Sequence, residues 1–205
     1  MRRLGIAVEG KTEVEFVKRV LAPALGEVDV AATPVSMDGN VTRDRMAREV
    51  ANLLWNFDCV TSFVDFYGFR DKGDLNVEQL EQEVEQAVQS RIGKRYDASR
   101  VVVYVQRHEF EGLLFSDVDG FRDAGLAMDE GCLARLRGVR QRFPTPEDIN
   151  DDSATAPSKR ILELIPDYRK RLNGPLVAQN VGLAAMRREC RRFGRWMDRL
   201  EGLGR

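Results

Sequence analysis

"LGIAVEGKTEVEFVKRVLAP" (residues 4–23) changes character in its middle. Residues 4–8 are a short apolar run that reads as a strand, stopped by Glu9-Gly10. Thr12 then offers a helix N-cap, and Phe16, Val20 and Leu21 recur at helical spacing up to Pro23. A strand that feeds a helix is the first half of a βαβ unit, and it leaves Glu9 at the strand's carboxyl end with Glu13 one helical turn on. Two readings follow. The acids are helix-start residues, each favoured by the macrodipole by about 0.3–1 kcal/mol, or Glu9 is a ligand for something positive.

The pattern repeats down the chain. "VDVAATPVS" (28–36) and "CVTSFVDFYGF" (59–69) read as further strands, the latter β-branched and aromatic with Asp65 near its end. "RVVVYVQ" (100–106) is a continuous apolar run, as expected of a strand covered on both faces. Between them lie an amphipathic helix, "TRDRMAREVANLLWNF" (42–57), and a long polar one, "NVEQLEQEVEQAVQSRIG" (76–93), with Leu80, Val84 and Val88 as its apolar stripe. Strands alternating with helices imply an α/β fold with a mainly parallel sheet of four strands or slightly more, flanked by helices. From residue 108 the pattern is mostly helical: "EFEGLLFSD", "DEGCLARLRGVRQ", "APSKRILELIPDYRKRL" and "VGLAAMRRECRRFGRWMDRL". The Pro-, Asp- and Ser-rich stretch 143–157 reads as a loop. The expectation is one domain over 1–205, with an α/β core at 1–107 and a helical part at 108–205.

Bulk properties narrow the class. The 205 residues include 32 Lys+Arg against 33 Asp+Glu, so no overall basic charge signals nucleic acid. The charge is unevenly spread, however: residues 186–205 are strongly basic, and 74–85 and 147–152 are acidic. Three widely spaced cysteines without a CxxC pair argue against a disulfide framework and fit a reducing cytoplasm. A single histidine argues against zinc. No apolar run is long enough for a signal peptide or a membrane span. A soluble cytoplasmic protein is expected.

In an open parallel sheet, ligands bind beyond the carboxyl ends of the strands. Here those ends carry acids: Glu9, Asp65, and, after the fourth strand, Glu109 and Glu111. Three carboxylates at neighbouring strand ends repel unless a cation sits among them. A hard divalent ion takes one or two carboxylates, keeps several waters and reaches phosphate oxygens. Glu109 and Glu111 diverge by about 200° if "EFEGLLF" is helical, which favours Glu109. At "APSKRI" (156–161), Ser158, Lys159 and Arg160 stand at an expected helix start, where N–H groups and cations can hold phosphate. Arg107 and His108 are candidates for the same task. "PEDIND" (146–151) lacks the spacing of a calcium loop and reads as a turn. Residues 5–12 formally satisfy G-x-x-x-x-G-K-[ST], yet 6–8 read as strand, so ATP binding is the lesser alternative. Arg188, Arg192, Arg195 and Arg199 share one face of the last helix, opposite Leu183, Met186, Cys190, Phe193, Met197 and Leu200. That face is either a solvated surface or a phosphate-backbone track.

"VEGKTE" followed by a helix resembles the opening motif of Toprim domains in OLD-type nucleases. "VEGKTEVEFV", "DFYGF", "YVQRHEFEGLLFSD", "PEDIND", "APSKRI" and the C-terminal "VGLAAMRRECRRFGRWMDRL" together resemble the bacterial domain-of-unknown-function family 4276 over nearly the whole chain. The resemblance implies a Toprim-like fold and Mg²⁺- or Mn²⁺-dependent action on nucleic-acid phosphodiesters, DNA more than RNA. Glu9 takes the role of the first-motif glutamate as general acid/base or ligand. Asp65 matches the first of the usual two aspartates of the second motif, but Tyr67 stands where the other would be. Glu109, or Asp71 or Asp74, would then supply the missing carboxylate. The implied site is Glu9, Asp65 and Glu109, with Glu13 as a further metal ligand and Ser158, Lys159, Arg160, Arg107 and His108 as phosphate contacts. The resemblance also implies a separate ATPase partner and a role in defence against phage. The competing reading is a non-catalytic binding or regulatory subunit that keeps the scaffold and has lost a ligand.

Overall fold

The computed structural model describes residues 1–126, 129–150 and 155–204. The chain divides into two compact units, Met1–Gln106 with Asp198–Arg205, and Arg107–Met197.

The first unit holds the sheet. Its strands are β1 (Arg2–Val8), β2 (Val30–Ser36), β3 (Cys59–Asp65), β4 (Val101–Val102) and β5 (Val105–Gln106). The order is β2-β1-β3-β4, with β5 also on β3, and every pairing is parallel. The parallel α/β architecture expected from the alternating pattern is therefore present. Connections run through α1 (Lys11–Phe16), a π turn at Val17–Leu21, α2 (Ala22–Gly26), α3 (Arg43–Leu53) and α4 (Val77–Ile92). On one face of the sheet, Val60 and Val64 of β3 join α3 and α4 in a core that includes Met46, Val50, Leu80, Val84 and Val88. Phe63, of opposite parity, turns the other way and meets Phe16 of α1 at 5.3 Å and Tyr104 at 6.1 Å. Covering on both faces explains why all seven residues of β3 are buried. Pro34, which lacks an N–H, sits on the outer strand β2 where it disturbs least.

Three local expectations change. Gly10, not Thr12, is the N-cap of α1, and the helical course continues past Pro23, which occupies the first turn of α2 where its missing N–H is harmless. The run 100–106 is not one strand but two short ones. The Ser62 hydroxyl accepts from the Tyr104 N–H (2.9 Å) and donates to the Tyr104 carbonyl (2.8 Å), taking the place of the ladder between β4 and β5. Helix α4 matches its reading: Asn76 and Gln79 form a reciprocal cap at 2.9 Å each, and Gly93 ends the helix at φ 61°.

The second unit is helical: α5 (Asp119–Asp123), α6 (Glu130–Gln141), α7 (Pro157–Leu164), α8 (Lys170–Val181), α9 (Leu183–Glu189) and the first part of α10 (Arg191–Gly202), whose last residues belong to the first unit. "EFEGLLFSD" is a 3-10 turn over Phe110–Ser116 rather than an α-helix. The C-terminal stretch breaks at Cys190, whose extended backbone separates α9 from α10. Arg188 thus lies on a different helix from Arg192, Arg195 and Arg199, and the single arginine face is shortened. The loop expected over 143–157 lies partly outside the described residues, as does Asp151 of "PEDIND". No described helix is long and apolar enough to cross a membrane.

Candidate active site

Glu9 and Asp65 are brought to one edge of the first unit by register. Val8 of β1 pairs with Phe63 of β3, so one further residue on β1 and two on β3 bring the chain to the two acids at the carboxyl ends of adjacent strands. Asp65 is 4% exposed. Glu9 is half-buried, and its carbonyl accepts from the Gly39 N–H at 2.9 Å, which ties the end of β1 to the loop after β2. Its carboxylate lies directly on Gly68: a Cβ there would stand 2.2 Å from Oε2 and 2.9 Å from Cδ. Gly68 belongs to the 3-10 turn Phe66–Gly68 that follows Asp65 immediately. That turn exposes Phe66 and Tyr67 to Lys72, whose ammonium lies 5.6 and 5.8 Å from the two ring centres. On the other side of Asp65 its register partner is Gln106, buried and accepting from the Tyr104 hydroxyl at 2.8 Å.

Glu13 and Asp71 both accept main-chain N–H groups at helix starts. Glu13 folds back to accept the Gly10 N–H at 2.9 Å, which is the helix-start role. Asp71 accepts the Arg43 N–H at 3.1 Å, closing the start of α3. Asp74 is exposed.

In the second unit, Glu109 accepts the Ser158 N–H at 2.9 Å, at the start of α7. The anion at the "PSKR" helix start is therefore the protein's own carboxylate. Lys159 is exposed. Arg160 donates to the Thr155 carbonyl (2.7 Å) and stacks on Phe143 at 5.1 Å. Arg107 pairs with Asp148 at 3.3 Å. His108 has φ 64°, unusual for a non-glycine residue, and burial together with the neighbouring Arg107 charge holds its pKa down to about 4. At neutral pH it is uncharged, so it lacks the positive charge expected of a phosphate contact. Glu111 is fully buried and paired with Lys170 at 2.9 Å, with the Tyr168 hydroxyl at 3.3 Å. Tyr168 is raised well above its ordinary pKa by burial, with the Glu111 charge adding to the effect.

Among the described residues no group of three or more His, Cys, Asp or Glu side chains is placed to hold a metal ion. The pair Glu9 and Asp65 still suits a hard divalent cation. Both offer carboxylate oxygens, and the seat of Glu9 on Gly68 is one that any Cβ would fill. Gly68, Lys72 and Gln106 escaped the sequence reading. Only the glycine three residues after Asp65 could have signalled a close approach.

A family model described as "Domain of unknown function (DUF4276)" matches residues 8–201. The chain belongs to this family. The DUF4276 match opens one residue before Glu9 and spans Asp65, Glu109 and the "PSKR" helix start. No curated protein matches the chain. Among solved structures, the C-terminal region of the Xanthomonas campestris pv. campestris OLD protein is similar, as determined with iodine, platinum and mercury phasing. Identity is 18% in each case, with TM-scores of 0.49, 0.44 and 0.40, covering 97%, 98% and 97% of this chain and 94%, 93% and 94% of theirs. The P-loop alternative loses ground: Gly5 lies within β1, and a Cβ there would stand 2.7 Å from the Phe57 ring, so this glycine makes room for a core side chain rather than a phosphate.

Proposed function

We propose that this DUF4276 protein is a Toprim-like, Mg²⁺- or Mn²⁺-dependent phosphodiesterase of the nuclease type, acting on nucleic acid and on DNA in preference to RNA. The observation that supports it is that Glu9 and Asp65 both follow the carboxyl ends of adjacent parallel strands, with Glu9 seated on Gly68. Glu9 and Asp65 would hold the cation. Bound there, it would supply Lewis-acid polarisation of a phosphoryl oxygen and an acidified water. Lys72, fixed over the Phe66 and Tyr67 rings beside Asp65, would hold a phosphate oxygen against the site. Glu109, engaged at the start of α7, is left out of the ligand set. By analogy with OLD-type systems, a separate ATPase is the proposed partner and defence against phage the proposed setting.

Titration calorimetry with Mn²⁺ and Mg²⁺ tests this, run beside a cleavage assay on single- and double-stranded DNA and RNA. Wild type should bind one class of ion and cleave; Glu9→Gln and Asp65→Asn should each lose both. A folded wild-type chain that binds no divalent ion overturns the enzyme reading. That result would favour the second reading, a non-catalytic scaffold, which Tyr67 in place of a second aspartate already suggests.

A further inference from the structure

The opposite end of the sheet carries a feature that the strand-end acids do not explain. A cavity of about 510 Å³ lies beside the ends of α3 and α4, within the first unit. Around it stand Arg48, Arg91, Lys94, Arg95, Arg100 and Trp55, and its lining contains no carboxylate. Trp55 is 78% exposed, more than any other large apolar residue among the described ones. Ile92 and Leu54 complete an apolar wall.

Three of the cations have partial engagements. Arg48 reaches Glu49 at 3.5 Å, Arg91 pairs with Asp44, and Arg100 donates to the Asp58 carbonyl at 2.7 Å. Lys94 and Arg95 are exposed and make no ion pair among the described residues. Cations after a helix end often serve only to complement the macrodipole. Here, though, each helix end presents about half a charge, and even with Arg48 and Arg91 in ion pairs the three charges of Lys94, Arg95 and Arg100 exceed what two ends require. The dipole also gives no reason for a bare indole.

We propose that this cavity binds an unpaired nucleobase together with its phosphates. The indole of Trp55 is the stacking surface, which any base can use because every base has a π-face. Lys94 and Arg95 meet the phosphates, with Arg48 and Arg91 at the rim. The volume falls in the range of small-ligand sites. A duplex keeps its bases stacked on one another, so the site selects single strands or free nucleotides. It stands apart from the acids: β3 alone, running from Cys59 beside the cavity end to Asp65, spans about 20 Å. It would hold a strand whether or not Glu9 and Asp65 carry a metal.

The chain's two tryptophans make the test direct, because Trp196 is 2% exposed and Trp55 alone can touch a ligand. With EDTA present throughout, the full chain is titrated with oligodeoxythymidylate, with dTMP and with a duplex, following tryptophan emission and anisotropy of labelled strand. The oligonucleotide should quench emission. Trp55→Ala should weaken binding by about 5- to 150-fold, with Trp55→Phe recovering part of the loss. Lys94→Glu/Arg95→Glu should weaken it and lower the salt slope by roughly 0.7 per lost contact. Equal quenching by dTMP assigns the site to a free nucleotide, and preference for the oligonucleotide assigns it to a strand; both support the shared chemistry. Equal affinity of wild type and Trp55→Ala, duplex binding as tight as single-strand binding, or no binding by the folded chain overturns it. Since metal is absent, none of these outcomes depends on the active-site reading.

Discussion

Gly68→Ala separates a metal-binding role for Glu9 from a merely structural one. The new Cβ would stand 2.2 Å from Glu9 Oε2. Carbon and oxygen without a covalent bond approach to about 3.3 Å, so the carboxylate must retreat by roughly 1 Å. The displaced atoms are the far end of a flexible side chain, and Gly68 does not have a positive φ, so the backbone accepts alanine. Loss of glycine entropy in the unfolded chain contributes about 0.4–1 kcal/mol in favour of the variant, against a repulsion relieved by rotation of Glu9. The net change in stability should stay within about 1 kcal/mol, or roughly 2–4 °C in Tm for a chain of this size. A metal site is far less tolerant: ligand distances hold to about ±0.2 Å, and magnesium demands near-ideal geometry. Mn²⁺ affinity should therefore fall at least as far as when a ligand's supporting shell is disturbed, about 10- to 100-fold. Calorimetric titration beside thermal melts reads both quantities. A folded Gly68→Ala chain that binds Mn²⁺ as wild type does would refute the placement of Glu9 at the metal, and a large drop in Tm with no change in binding would give its seat a structural purpose.

Three further outcomes are expected. The chain has one histidine, so its imidazole C–H resonance titrates without ambiguity, and the midpoint should lie near 4 rather than 6.5; with the folded pKa depressed, His108 favours the fold above the unfolded pKa and disfavours it as pH falls from about 6.5 towards 4. Glu147→Ala removes the acceptor for the Arg192 and Phe193 N–H groups at 3.0 and 3.1 Å, and should cost about 2–4 kcal/mol in a thermal or denaturant melt; a loss under 0.5 kcal/mol would show that water replaces the carboxylate. All three cysteines are buried, and burial pushes Cys190 up to about 12, so a thiol reagent should label none in the native chain at pH 8 and all three in denaturant.

How much of this was legible depended on the sequence distance over which each residue acts. The parallel sheet and α4 follow from periodicity and from the Asn76–Gln79 cap, both local signals. The interruption between β4 and β5 does not, because Val103 and Tyr104 are as apolar as their neighbours and the substitute partner, Ser62, is 42 residues away. The strand-end position of Glu9 and Asp65 was legible because strand ends in a parallel sheet share an edge. Gly68 as the seat of Glu9 was not, since the contact joins the ends of two strands separated by the whole of β2 and α3.

Glutamates are where a count of charges misleads most. Glu13, Glu109 and Glu147 all accept main-chain N–H groups at helix starts, at 3, 49 and 45 residues' separation respectively. A helix start and a divalent cation make the same demand, a carboxylate oxygen aimed at concentrated positive charge. Sequence spacing can tell them apart only when the helix start is three residues away, as for Glu13. Asp65 and Glu9 differ from these three in that they follow the carboxyl ends of adjacent parallel strands. A metal needs convergence from separate strands, whereas a cap needs only one helix. On that criterion the Glu9–Asp65 edge is the place to look for chemistry, and Glu13, Glu109 and Glu147 each serve the start of a helix.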